Sequence, residues 1–410
     1  MIHIIDGGIT APKGFQATGR HIGLKKIKKD ISLLVSDVPA KAAGVFTQSI
    51  VKAAHIIWDE KIVKAGNPVK GIIAISGNAN ACTGEKGLKD NEEMAETFAK
   101  SIGVSKEEIL TAATGIIGLE MPMDIINKGI LDTVGGLSHK REDARDAAAG
   151  ITTTDTFLKE IALKLNIAGK TVKIGGMAKG SGMIHPNMAT VLSFVTTDIK
   201  ISKELLQKAL NYCISETYNM ISVDGATSTN DMAVILANGM ADNREITSEE
   251  DEFYEVFKEA LLFVHEKFAK EIVHDGEGAG KFIETKVSGA KTEQDARLLA
   301  KSIVTNNLVK TAMYGEDANW GRVVAAMGNS GAFFHPNNVN IAFESENGRI
   351  LLMKDGEPVP FDENKASEIL RKQDINIYVM LNDGECHATA WGCDLGHEYV
   401  RINGEYRSRT

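Results

Sequence analysis

GGMAKGSGMIHPNMATVLSFVTTD, residues 175–198, reads differently from its surroundings. Glycines at 175, 176, 180 and 182 stand closer together than a helix or strand interior favours. Glycines so placed let the backbone take positive φ or approach a partner closely. Pro186-Asn187 signals a turn, and VLSFVTT beyond it alternates as a strand does. The segment is read as a glycine-rich loop entering a buried strand, with Thr190 at the junction. It matches neither GxxxxGK[ST] nor GxGxxG, so a nucleotide-phosphate loop is not expected. On spacing alone the ordinary reading is favoured, with Thr190 a β-former at the edge of a common turn.

Working outward, helical and strand signals alternate with glycine-rich turns, which predicts a mixed α/β fold. Apolar residues at three- and four-residue steps predict a helix over 248–273, with Thr247 and Glu250 as a capping box. Further helices are expected over 203–218, 91–102 and 293–304. Strands are expected over 71–76, 191–197, 232–236, 283–287, 375–381 and 387–391. No repeat or linker separates domains. Local composition is loosest at 276–293, the candidate hinge or domain crossing.

The chain has 410 residues, enough for two or three domains or one large layered unit. Hydrophobic residues make up 43% and charged residues 25%, an ordinary globular balance. A net charge of −9 argues against nucleic acid or an anionic membrane as partner and leaves small cationic substrates open. No long apolar run and no signal peptide are visible, so a cytoplasmic protein is expected. Cys82, Cys213, Cys386 and Cys393 are too few and scattered for a disulfide framework. Cys386, His387, Cys393 and His397 match no common zinc spacing, and HATAWG between them reads as a strand; no metal is expected.

Residues 175–198 resemble the self-cleavage and active-site motif of the ornithine acetyltransferase (glutamate N-acetyltransferase) family. The similarity runs along most of the chain. It includes GGITAPKGFQATGRHIGLK at 7–25, SDVPAKAAGVFTQSIVKAA at 36–54, ATGIIG at 113–118 and TTDT at 153–156. SVDGATSTND at 222–231, HDGEGAGKF at 274–282, YGEDANWGRVVAAMGNSG at 314–331 and INGEYRS at 402–408 extend it. The resemblance implies an αββα-type sandwich with a second α/β domain. It also implies autocatalytic scission between Ala189 and Thr190, giving fragments 1–189 and 190–410 that assemble as an α2β2 heterotetramer. Thr190 becomes the nucleophile of a ping-pong acetyl transfer from N-acetylornithine to glutamate. No cofactor is implied, and acetyl-CoA is a co-substrate of the bifunctional members.

The chemistry suits those residues. A threonine hydroxyl needs a base, and scission creates an α-amine on the same residue with a pKa of about 7.7–8.0. Both half-reactions build charge on a carbonyl oxygen, for which the resemblance implies Thr114 and Gly115 as donors. It implies Thr153, Lys179, Thr190, Glu277, Asn403 and Ser408 as substrate contacts. Lys179 would anchor a carboxylate or keep the nearby amine unprotonated by like-charge repulsion. Glu277 suits an ammonium group of ornithine. Each has an ordinary reading too. Thr114-Gly115 reads as a turn after a strand, Lys179 as a solvated loop residue and Glu277 as a helix-end surface residue. Thr153 reads as the N-cap of a helix-like run, and Asn403 and Ser408 as terminal residues.

The sequence departs from the family in three places. The tail continues past Ser408 to Thr410, a rival for closing the pocket. Ala226 stands for an acidic residue, and Gly280 for a threonine. Two other readings compete: an aminopeptidase-like hydrolase that hands the acyl group to water, and a non-catalytic binding scaffold.

Overall fold

The computed structural model describes residues 2–185 and 191–405. Its organising element is a strand of 16 residues, Ile31–Phe46. The first half pairs antiparallel with Phe15–Arg20 and Val69–Asn78, the second half antiparallel with Met232–Ala237. The register breaks between Val35 and Ala40, where Pro39 has no N–H to give a ladder. One strand therefore serves two layers.

Side-chain alternation shows how those layers stack. Leu34, Ile72, Ala74 and Leu110 face Leu192, Phe194, Met232 and Val234 in a shared core. Their sequence neighbours point the other way, as a two-residue period requires. Leu33, Ile73 and Ile75 pack under Met94, Phe98, Ile126 and Ile130 of the helices Gly84–Ile102 and Met123–Val134. Val195, Ala233 and Ile235 pack under Leu206, Leu210, Leu261 and Phe268 of the helices Lys203–Glu216 and Glu252–His274. One nine-stranded sheet, shared through this long strand, thus gives both inner layers of a helix, sheet, sheet, helix stack: the expected αββα sandwich.

A second sheet of seven strands, centred on Phe282–Ala290 and Asp374–Met380, carries the helix Glu293–Thr305 through Leu299 and Ile303. The chain is thus mixed α/β with two sheets. Among the described residues no helix is long and apolar enough to cross a membrane, and no group of His, Cys, Asp or Glu is placed to hold a metal.

Several local expectations are corrected. Glycines 175 and 176 lie inside the strand Lys170–Lys179, not in a loop. A Cβ on Gly175 would come within 2.2 Å of the Gly8 carbonyl oxygen, and one on Gly176 within 2.9 Å of the Phe268 ring. The glycines are there for close approach. The helix expected from 248 is Glu252–His274, capped by Asp251 rather than by Thr247, because the Asp251 carboxylate accepts from the Phe253 N–H at 3.1 Å. The helix expected from 91 starts at Gly84. The run after Thr156 is the strand Lys159–Ile167, so Thr153 caps no helix there.

Candidate active site

Six of the residues singled out by resemblance line one cavity of about 300 Å³: Thr114, Gly115, Thr153, Lys179, Glu277 and Asn403. They come from widely separated segments: the strands Ile109–Ile116 and Lys170–Lys179, the loops at 153 and 277 and the helix His397–Gly404. Ala189, Thr190, Ser408 and Thr410 lie outside the described residues. Ile184 and Leu192, flanking residues 186–190, also line the cavity.

Thr114 and Gly115 end the strand Ile109–Ile116, parallel to Val69–Asn78. Gly115 has φ +138°, and an added Cβ would stand 2.4 Å from the Gly77 carbonyl carbon. Only glycine fits so close to the neighbouring strand. Lys179 closes the strand Lys170–Lys179, and its Nζ donates to Thr114 Oγ1 at 3.2 Å. Because that hydroxyl already accepts, its own proton is available to an oxygen in the cavity. An ammonium behind a hydroxyl donor suits stabilisation of an oxyanion. Thr114→Ala is expected to lower kcat by about 10²–10³ with little change in stability, the usual effect of losing one such donor. Steady-state kinetics beside a melting curve check this.

Glu277 is reached differently. The helix Glu252–His274 ends just before it, and the Glu277 N–H donates to the Ser181 carbonyl at 3.0 Å, turning the chain inward. Its carboxylate is therefore buried, not on the surface, and Oε2 accepts from Asn403 Nδ2 at 2.8 Å. A Cβ on Gly182 would lie 2.3 Å from that carboxylate, which explains this glycine. Asn403 belongs to the helix His397–Gly404, so the end of the described chain docks on the site.

Beneath the cavity lies a buried ionic group that the sequence did not reveal. Lys159 Nζ sits 2.8 Å from Asp155 Oδ1 and 2.5 Å from Asp275 Oδ2, all three side chains at most 1% exposed. Asp155 also accepts from the N–H of Gly180 at 2.8 Å and of Thr153 at 3.0 Å. The Asp275 carbonyl accepts from Ser181 Oγ at 2.6 Å. The cluster thus fixes the backbone at Thr153, just after Lys179 and just before Glu277. Burial would raise the Asp155 carboxyl, but the Lys159 and Lys179 charges and its hydrogen bonds outweigh that and bring it to about 2. Lys25, on a loop whose Nζ donates to the Thr152 carbonyl at 2.9 Å, is lowered by burial to about 8.

The block at 222–231 holds the chain around residues 186–190. Asp224 accepts from the N–H of Met183 at 2.6 Å and of Ile184 at 3.0 Å. Met183 is held at φ +55°, an unfavoured region for a residue with a Cβ. On the far side the Met232 N–H donates to the Val191 carbonyl at 2.9 Å. Ser228, Asn230 and Asp231 line the cavity and were missed by motif reading, although a polar run before the apolar MAVILA was a visible signal. Ala226 and Gly280, the two internal departures, are exposed and line no part of this cavity.

Comparison with known proteins adds three findings. The ArgJ family model matches residues 16–408. A relative from Caldanaerobacter subterraneus subsp. tengcongensis, described as an arginine biosynthesis bifunctional protein ArgJ, is 49% identical over 99% of this chain and 100% of its own. One of the same description from Symbiobacterium thermophilum is 49% identical over 98% of this chain and 99% of its own. Among solved structures, an arginine biosynthesis bifunctional protein argJ from Bacillus halodurans matches with a TM-score of 0.50 at 45% identity. It covers 52% of this chain and 98% of the solved chain.

Proposed function

The chain belongs to the ArgJ family, and from that premise we propose that it is a glutamate N-acetyltransferase of arginine biosynthesis that cuts itself between Ala189 and Thr190. The observation that carries the reading is the gathering of Thr114, Gly115, Thr153, Lys179, Glu277 and Asn403 around one cavity. In the first half-reaction the Thr190 α-amine takes the hydroxyl proton and Oγ attacks the acetyl carbonyl of N-acetylornithine. Thr114 and Gly115 stabilise the oxyanion. The carbon–nitrogen bond breaks, the ammonium returns the proton to the departing amine, and ornithine leaves an acetyl ester on Thr190. Glutamate's amine then attacks that ester, and the hydroxyl is regenerated.

The solved Bacillus halodurans chain aligns over nearly its whole length with about half of this one. That proportion fits a chain divided near its middle, as scission before Thr190 would do. The fragments would stay together, since Lys170–Lys179 pairs with Leu192–Thr197 and Ile31–Phe46 with Met232–Ala237 across the cut. An α2β2 assembly, acetyl-CoA as second acetyl donor and the cytoplasm as compartment belong to the same proposal. The relatives' description as bifunctional supports the second donor.

Incubation with N-acetylornithine, with and without glutamate, tests it. Acetylglutamate should form only when glutamate is present, whereas acetate released regardless of glutamate would make the enzyme a hydrolase. Glu277→Ala is expected to be cut normally but to raise KM for N-acetylornithine about 10- to 100-fold, the scale of losing a charged hydrogen bond. An unchanged KM would remove Glu277 from the substrate site.

A further inference from the structure

Thr114 and Gly115 stand at the edge of a sheet. Their strand, Ile109–Ile116, pairs with Val69–Asn78 on one side and is the last strand on the other among the described residues. An edge strand leaves a row of backbone groups without a ladder, and here side chains meet them. Trp58 Nε1 donates to the Ile109 carbonyl at 3.0 Å, and the Thr111 N–H donates to Asp59 Oδ1 at 2.9 Å. Asn230 Nδ2 donates to the Ala113 carbonyl at 2.8 Å. Alternate residues are met, as the two-residue period of a strand requires.

The Asn230 contact differs from the other two in its place. It adjoins the point where the pairing becomes irregular, at Gly77 and Asn78 opposite Thr114 and Gly115. There a regular ladder does not set the direction of the chain. Asn230 Nδ2 also donates to the Ala79 carbonyl at 2.6 Å, just beyond Asn78, and so ties the two strand ends together. A carboxamide nitrogen has two protons, and both are engaged in this tie. Asn230 is itself held: Thr229 Oγ1 donates to its Oδ1, and the buried His55 meets its backbone carbonyl through Nε2 at 3.0 Å. Since a carbonyl only accepts, the His55 proton is on Nε2. Asn230 is 6% exposed and borders the cavity.

The Ala113 carbonyl and the Thr114 N–H belong to one planar peptide group. Holding the oxygen fixes that plane, and with it the direction in which the Thr114 hydroxyl and then the Gly115 N–H leave the strand. Resting on the acetyl-transfer reading above, in which those two groups steady the oxyanion, we propose that Asn230 is a positioning residue. By clasping the Ala79 and Ala113 carbonyls it aims the Thr114 and Gly115 donors into the cavity. With both amide protons engaged by backbone, it gives none to the substrate. Oxyanion donors act at about 2.7–3.1 Å, so a small turn of their peptide is costly.

Kinetics of wild type, Asn230→Ala, Thr114→Ala and the double variant test this, with rates counted per cut chain by intact mass and melting curves alongside. Asn230→Ala should lower kcat by about 10²-fold, the scale of a donor misplaced by about 1 Å, and leave KM for N-acetylornithine unchanged. In the Thr114→Ala background the same change should cost about 10-fold less, because one of the two aimed donors is already gone. A purely structural loss multiplies equally in both backgrounds; that result overturns the proposal, as does a wild-type kcat in Asn230→Ala. Trp58→Phe releases the Ile109 carbonyl at the far end of the same edge and should leave kcat unchanged. A loss there equal to that of Asn230→Ala would assign the effect to the whole edge and also overturn it. Asn230→Ser, which keeps one hydroxyl donor, takes the place of Asn230→Ala where that variant does not fold or is not cut. If neither is recovered folded and cut, Asn230 serves folding or scission and the positioning role falls. If wild type moves no acetyl group, the acetyl-transfer reading fails and takes the proposal with it; if wild type does and the losses multiply, the positioning role alone fails.

Discussion

Thr190→Ala is expected to leave the chain whole at 410 residues and to abolish acetyl transfer. On the proposed mechanism alanine removes the one oxygen that attacks the Ala189 carbonyl during scission and the acetyl carbonyl during turnover. Without the first event the second lacks its base as well, so the two losses arise from one atom. Removing a catalytic nucleophile costs about 10⁶ in kcat where it has been measured in hydrolases, so residual transfer should fall below detection. Thr190→Ser keeps the hydroxyl and should retain both events at lower rate. Intact mass with N-terminal sequencing, beside a transfer assay on the same sample, reads both. A whole Thr190→Ala chain that still moved acetyl groups would sink the mechanism. A chain still cut before residue 190 would show that the peptide bond has another attacker.

The second large effect is on stability. Lys159→Met should destabilise the protein by about 3–5 kcal/mol, the cost of removing one partner from a buried ion group. Asp155 and Asp275 would keep their burial and lose the ammonium between them. Against a total stability of about 5–15 kcal/mol for a typical domain, such a loss is severe. Neutralising both carboxylates in the same chain (Asp155→Asn with Asp275→Asn) should recover part of it, because no uncompensated charge remains. Urea unfolding of the three proteins measures this. Equal stability of Lys159→Met and wild type would mean that the ion group contributes nothing.

The same cluster predicts an acid dependence with a definite sign. The Asp155 carboxyl lies at about 2 in the folded chain, below the ordinary unfolded value of about 3.9. Its contribution is therefore present above pH of about 4 and is lost as pH falls toward about 2. Wild type should lose stability through that window. In Lys159→Met the main opposing charge is gone and burial drives the carboxyl upward, toward or past its unfolded value, so this acid-side loss should shrink or reverse.

Asp231 and Lys159 show why part of the site was invisible to sequence reading. An aspartate after STN and a lysine at the start of EIALKLNI carry no spacing that marks them as buried. Glu277 and Asn403 were singled out only because motifs resembled those of a family. Their contact across 126 positions is a product of the way the helix ends turn inward.

The linear chain by itself determined that strands form at 191–197 and 232–236, because short apolar runs bounded by turn residues have few other places to go. Its motifs, through their resemblance to a family, also named the proposed nucleophile, scission bond and donors at 114 and 115, since motifs survive without a fold. Tertiary structure alone decided that Gly175 and Gly176 lie within a strand, because the Gly8 carbonyl and the Phe268 ring come too close for any side chain. It alone decided which charges lose their water, and with it that the Asp155 carboxyl is lowered while the Asp231 carboxyl is raised. Burial and field are sums over neighbours from the whole chain, and no local run of residues contains them.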